Sequence, residues 1–498
     1  MRSSIGRGAA LVIGLAMILA LAQACAPAPE PTAGAPTVSE STAAAAAVAS
    51  DRADLIGNWE GRVEVAGQEI ITRMAFEADG DGLKGTVDFP QQNVNGIPLD
   101  VATFADGKLH VEVLPAPRTA VFDGALAGDA IAGTFEQAGY KGAFELARVK
   151  AEAPPYAAEE VTFRNGDITL AGTLTLPEGQ GPFPAVVLIT GSGASTRDEE
   201  LFGFKVFGVL ADHLTWQGIA VLRYDDRGVG GSSGGSAGDT SETFAGDVAA
   251  AVAYLEGRPE IAAGKIGLLG HSEGGLIALI VATGGTAGLA VEPDDVAFVV
   301  LMAGPGLPGD KLIVEQGEAI AKAGGASAEE VARQKAMQEQ IAAAALTGEG
   351  WDAVEAKLRQ AYEEAAAALT DEQKQAVGDL DAWVQQMVDA QMAVSQSGWM
   401  KFFLSYDPAP ALEKLRQPAL ALFGERDLQV PAESNRAAVE AALKRGGNAD
   451  YEIVVIPEAN HLFQLAETGS PTEYATLSPE FAPGFLSTVS DWILAHTR

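Results

Sequence analysis

The sequence predicts an α/β fold with a mostly parallel sheet and a helical insertion, preceded by a small antiparallel β domain. Three observations predict it. From about residue 161 onward, short apolar runs alternate with helix-forming stretches, the pattern of parallel strands joined by helices and covered on both faces. Between about residues 55 and 149 the pattern is period-two, with short strands separated by Gly and Asp-Gly turns. One apolar run leads directly into Gly270-His271-Ser272-Glu273-Gly274-Gly275 and then into a helix-forming run, a strand–turn–helix junction centred on a serine.

At 498 residues the chain exceeds what one hydrophobic core supports, so it divides into domains. Arg2 and Arg7 precede an apolar run over residues 9–21, followed by Ala22-Gln23-Ala24-Cys25. A basic start, a short apolar middle and small residues describe a secretory signal over residues 1–24. The run is too short for a membrane span. Leu21-Ala22-Gln23-Ala24-Cys25 resembles a bacterial lipoprotein signal in which Cys25 carries the lipid, although Ala22 stands where Leu is usual and Gln23 where a small residue is usual. Ala22-Gln23-Ala24 also reads as an ordinary Ala-x-Ala cleavage site. Cys25 is the only cysteine, so it has no internal disulfide partner, and lipidation is the preferred reading. The expected location is extracytoplasmic, anchored to the cell envelope through that lipid. Residues 25–50 are Pro, Ala, Thr and Ser with almost no large apolar side chain, and read as a flexible tether.

Residues 51–150 form the expected small β domain, a barrel or sandwich, with strands such as Gly61-Arg62-Val63-Glu64-Val65 and Lys108-Leu109-His110-Val111-Glu112-Val113. Its opening, Gly57-Asn58-Trp59-Glu60-Gly61, resembles the Gly-x-Trp start of lipocalin-like barrels. Its role is open between spacer, wall of the neighbouring site and binding module. Residues 151–160 read as a linker. In the α/β domain, residues 161–498, buried strands are expected at 185–189, 220–224, 265–269, 297–301 and 420–423, with helices at 204–217 and 245–256. Residues 309–403 break that rhythm with helices alone. Capping boxes are expected at Ser327 with Glu330 and at Thr370 with Gln373. An insertion of this size reads as a lid over a site or as a solvated helical hairpin.

Lys and Arg total 33 against 67 Asp and Glu, a net charge of −34 that repels phosphate backbones and argues against a nucleic-acid partner. It also disfavours adhesion to anionic lipid, leaving the membrane as a partner only through the lipid anchor. Gly228-Val229-Gly230-Gly231-Ser232-Ser233-Gly234 lacks the Lys-Ser/Thr of a phosphate loop and reads as a turn rimming a pocket, with Asp226 and Arg227 expected to pair and hold it. No cofactor is expected. With five histidines and one distant cysteine, neither is a catalytic metal.

The chemistry sits at Ser272. Gly-x-Ser-x-Gly between strand and helix is so tight a turn that the flanking residues must be glycines, and it presents the hydroxyl outward at a helix N-terminus. The Glu273 backbone N–H is the first expected oxyanion donor. The stretches Leu188-Ile189-Thr190-Gly191-Ser192-Gly193, Arg197-Asp198-Glu199 and Arg223-Tyr224-Asp225-Asp226-Arg227-Gly228-Val229-Gly230, together with the serine turn, resemble a bacterial subgroup of α/β-hydrolases. These are esterase-like proteins related to the serine aminopeptidase and prolyl-oligopeptidase branches. The resemblance covers roughly residues 161–498 and not the β domain. It implies an α/β-hydrolase fold and places the second oxyanion donor at Ser192.

On this fold the catalytic order is Ser, acid, His. Of the five histidines, His110 lies in the β domain, His213 within a helix, His271 on the turn itself and His496 at the chain end. His461, in a loop after the strand 451–456 that is expected to open a helix, remains as general base. Gly424-Glu425-Arg426-Asp427-Leu428-Gln429-Val430-Pro431 resembles the family's Gly-x-x-Asp-x-x-Val-Pro turn and selects Asp427 as the acid, ahead of Glu425 and Asp407. A serine hydroxyl becomes nucleophilic when an imidazole takes its proton and a carboxylate orients that imidazole. The expected activity is hydrolysis of a small carboxylic ester through an acyl-enzyme. Cleavage of a short peptide-like substrate or amide by the same trio is the alternative. A lipoprotein that binds through its β domain, with a decayed hydrolase, is the non-enzymatic reading.

Overall fold

The computed structural model describes residues 53–497, apart from 66–67, 81, 93, 114–118, 138, 150–153, 287 and 290. The signal, the tether and Cys25 lie outside the described residues.

The β domain is one nine-stranded antiparallel sheet. Trp59 on the strand Gly57–Val65 pairs with Met74 on one side and Arg148 on the other. One face is apolar: Trp59, Val63, Met74, Phe76, Phe122, Phe144 and Leu146 are all buried in a core of their own. Trp59 donates its indole N–H to the Leu55 carbonyl at 2.8 Å, and the Arg148 guanidinium lies 4.2 Å from its ring centroid. The sheet curls until its end strands Val94–Pro98 and Val101–Ala105 are bridged by Leu99 and Asp100. Leu99 N–H bonds Gly85 O at 2.9 Å and Asp100 N–H bonds Glu112 O at 3.0 Å. No ladder joins those end strands among the described residues, so the expected barrel-like domain is a half-barrel.

The second sheet has eight strands in the order Ala157–Asn165, Ile168–Leu176, Ala220–Tyr224, Phe183–Ile189, Ile261–His271, Val299–Met302, Ala419–Gly424, Tyr451–Ile456. The first two run antiparallel to their neighbours and the rest are parallel. The parallel strands read as unbroken apolar runs because both faces are covered. Ala185, Val187 and Ile189 enter the core beneath the helices Ser241–Glu256, Glu273–Ala282 and Ala432–Gly446. Val186 and Leu188 enter the opposite core beneath Val206–Trp216 and Phe485–Thr497. The strand Ala157–Asn165 starts inside the span read as a linker. It is an edge strand with only Val161 and Phe163 buried, so its first residues carry no apolar signal.

Between the strands Val299–Met302 and Ala419–Gly424 the chain makes the helices Gly309–Ala323, Ala328–Thr347, Trp351–Ala368, Asp371–Val377, Leu380–Ser395 and Gly398–Ser405, and then the short helix Ala409–Lys414. Both expected capping boxes are present. The insertion has its own core of Ile341, Val354, Leu358, Tyr362, Val384 and Val388, and it joins the main core through Leu312 and Phe403.

Candidate active site

The residues singled out by sequence leave the carboxyl ends of adjacent parallel strands, where open α/β sheets place their ligands. Gly191 and Ser192 follow Phe183–Ile189, Ser272 follows Ile261–His271, Asp427 follows Ala419–Gly424 and His461 follows Tyr451–Ile456.

Ser272 has φ +54° and ψ −119°, an unfavourable conformation for a residue with a side chain, at the N-terminus of the helix Glu273–Ala282. Packing enforces it. A Cβ on Gly274 would sit 2.2 Å from Ile189 O, and one on Gly270 would sit 2.0 Å from Gly274 O. The Ser272 amide is tied to Met302 O at 2.8 Å on the neighbouring strand.

Asp427 and His461 come together, both buried. Asp427 Oδ2 lies 2.8 Å from His461 Nδ1. Its Oδ1 accepts the amides of Gln429 and Val430 at 2.7 and 2.9 Å, so the carboxylate is held at both oxygens. The runners-up are engaged elsewhere: Glu425 accepts the Glu458 amide and Asp407 the Ala409 amide, both at exposed positions. The chain past His461 opens no helix. Asn460 Oδ1 accepts the amides of Leu462 and Gln464, Phe463 has φ +58°, and the next α-helix is Phe485–Thr497. That side-chain turn offers those amides an alternative to helical hydrogen bonding.

His271, beside Ser272, is a junction. Its Nε2 lies 3.1 Å from the His461 carbonyl, which only accepts, so Nε2 carries a proton. Its Nδ1 lies 2.9 Å from Glu199 Oε1, the oxygen that also accepts the Gly191 amide at 2.7 Å. Burial opposes a charge on His271, but the Glu199 carboxylate outweighs it and holds the imidazole above its ordinary value. Glu199 and His271 thus form a buried hydrogen-bonded pair joining the 190–193 loop, the serine turn and the His461 loop. The loop itself approaches closely: a Cβ on Gly191 would lie 3.3 Å from Ser272 Cβ.

The Glu273 side chain is buried beside its own expected backbone role. It accepts from Ser241 Oγ at 2.6 Å and from Trp399 Nε1 at 2.8 and 3.0 Å. Burial raises its pKa, and the donors Ser241, Ser192 and Trp399 partly offset that. Trp399 belongs to the inserted helix Gly398–Ser405, so the insertion reaches the residue next to Ser272.

Asp226 and Arg227 do not pair. Arg227 turns to Asp247, with two contacts of 2.7 Å, and to Asp239 at 3.3 Å. Asp226 turns inward to Thr190 Oγ1 and the Ser195 amide, both at 2.8 Å. Arg227 lies inside the turn that Val229 N–H closes on Asp226 O at 3.0 Å, and the turn carries its side chain away from that of Asp226. Burial pushes Asp226 up to about 8. The glycine turn is held instead by Asp225, which binds Arg197 through both oxygens and the Gly231 amide at 3.0 Å.

Residues 186–477 match the alpha/beta hydrolase family. The chain belongs to that family. It is also similar to esterase EstD of Thermotoga maritima, 26% identical over 335 residues that span 66% of this chain and 67% of that protein. Solved structures similar to it include an esterase of Pyrococcus furiosus, 15% identical, covering 70% of this chain and 95% of that one with a TM-score of 0.42. Proline iminopeptidase of Mycobacterium smegmatis is 16% identical, covering 68% and 99% with a TM-score of 0.41. In this alpha/beta hydrolase, sequence reasoning missed Trp399, the part taken by Glu199 and the His271 junction, and it gave Asp226 the wrong partner. Glu199 stood in a quoted motif, but its partner His271 is 72 residues away in the chain.

Proposed function

We propose that the chain hydrolyses small carboxylic esters through an acyl-enzyme intermediate. Ser272 Oγ attacks the ester carbonyl as its proton passes to His461 Nε2. The imidazolium so formed is stabilised by Asp427 at Nδ1. The tetrahedral oxyanion is received by the backbone N–H groups of Glu273 and Ser192; the Gly191 N–H is already engaged by Glu199. Collapse expels the alcohol, which takes the proton from His461. A water molecule, deprotonated by the same imidazole, then attacks the acyl-serine and releases the acid. The observation that carries this reading is the buried 2.8 Å contact of Asp427 with His461, beside a serine held at φ +54°. The EstD similarity supports an ester as the substrate.

The test compares rates on an aryl ester panel and on aminoacyl amides, with Ser272→Ala as control. Ester turnover and fluorophosphonate labelling are expected in the parent protein and absent in Ser272→Ala. A dominant amide rate overturns the ester assignment, and an active Ser272→Ala overturns the nucleophile. The same proposal places the enzyme at the cell envelope by a lipid on Cys25. Fatty-acid labelling of the protein that persists in Cys25→Ala would refute that placement.

A further inference from the structure

Among the described residues, the β domain meets the α/β domain at Arg73 and at the turn Pro90–Gln92, and each of these contacts continues toward the reacting groups. At the first, Arg73 on the strand Gln68–Asp79 forms an ion pair with Glu200, which is largely buried. Arg73 also binds Glu60 at 2.7 Å within its own domain. The residue before Glu200 is Glu199, which holds the Gly191 amide and His271 with its own φ at +44°. Displacement of Glu200 therefore moves the carboxylate that joins the 190–193 loop to the serine turn.

At the second contact the short turn Pro90–Gln92 packs against Pro471–Thr476. Pro90 also closes on Gly203, where a Cβ would lie 2.9 Å from the proline's own Cβ. Tyr474, buried in that segment, meets the Phe202 ring at 6.1 Å between centroids and accepts at its hydroxyl from Gln429 Nε2 at 3.0 Å. The amide of Gln429 in turn binds Asp427 Oδ1 at 2.7 Å. One contact thus leads to the oxyanion loop, and the other to the acid–base pair.

We propose that the N-terminal β domain is a brace for the catalytic centre, with Arg73 and Glu200 as positioning residues that keep Glu199, and through it the oxyanion loop, in register with Ser272. The inference rests on the reading of Ser272, Asp427 and His461 above. It assigns the domain a part in turnover that a spacer would not have. Interactions realised mainly in the transition state affect kcat, and sub-ångström misplacement is enough to weaken them.

The experiment measures kcat and KM for an aryl ester with the full chain and its Arg73→Ala, Glu200→Gln and double variants. Each single variant is expected to lower kcat about 10-fold with KM within about 2-fold, and the double variant to be no worse than the worse single. Glu60→Gln, which breaks only the contact inside the β domain, keeps the parental kcat. Exchange of the charges in Arg73→Glu with Glu200→Arg recovers part of the loss. Should Arg73→Ala fail to fold, Glu200→Gln decides alone, because it leaves the β domain's own residues unchanged. Parental kcat in Glu200→Gln, with Ser272→Ala inactive in the same assay, overturns the brace and leaves the proposed function standing. An active Ser272→Ala overturns the proposed function instead.

Discussion

Both oxygens of Asp427 are committed, one to His461 and one to two backbone amides, so its replacement by an amide has a definite consequence. In Asp427→Asn the oxygen goes to the amides and the NH2 faces His461 Nδ1, forcing the tautomer that cannot accept the serine proton at Nε2. The expected fall in kcat is about 10⁴-fold with folding intact, measured by steady-state kinetics and circular dichroism. Asp226 carries a different prediction. Its carboxyl ionises near 3.8 in a free chain and near 8 in the fold because burial disfavours its charge. Between those values the folded protein binds the extra proton, so this residue makes stability fall as pH rises from about 4 to about 8. An Asn there can accept from the Ser195 amide and donate to Thr190 without titrating. Denaturant midpoints of the parent relative to Asp226→Asn should therefore decline across that window. A constant difference between the two proteins would show that Asp226 is not buried neutral.

The serine turn and the inserted helix show how differently two elements announce themselves. The turn is local: strand, two glycines, serine and helix all lie within one short stretch, so its geometry was readable. Gly274→Ala tests it. A Cβ there overlaps the Ile189 carbonyl, and the variant is expected to fold poorly and lose ester turnover together, checked by thermal melting and kinetics. The helix Gly398–Ser405 was visible as a helix, but its destination was not. Trp399 meets Glu273 across 126 residues of chain, and nothing in the local pattern distinguishes it from an aromatic of the insertion's own core. Trp399→Phe keeps an aromatic ring, though a smaller one, and removes the N–H, leaving a buried carboxyl short of a donor. A loss of about 1–3 kcal/mol in denaturant stability is expected, and an unchanged midpoint would mean that the contact contributes nothing.

The protein as a unit carries a charge of −34, and most of its acidic groups face solvent. Self-repulsion at that density is screened by salt, so the melting temperature should rise as ionic strength goes from about 0.01 to about 0.15 M. A fall over that range would show that specific ion pairs, such as Arg73 with Glu200, outweigh the general repulsion. By itself the sequence determined the period of the core strands near 185–189, 220–224, 265–269, 297–301, 420–423 and 451–456, though not of Ile168–Leu176, and the residues of the serine turn. It also singled out His461 by elimination and Asp427 by its turn motif, the two side chains on which the proposed function rests. Each of these is written in neighbouring residues or in chain order. Only the tertiary structure decided that Glu199 and His271 form a buried pair, that Asp226 and Arg227 part company, that Trp399 reaches Glu273 and where the β domain rests. Those contacts join residues tens to hundreds of positions apart, and the free energy that selects them comes from burial and partner geometry, which exist only once the sheet has assembled.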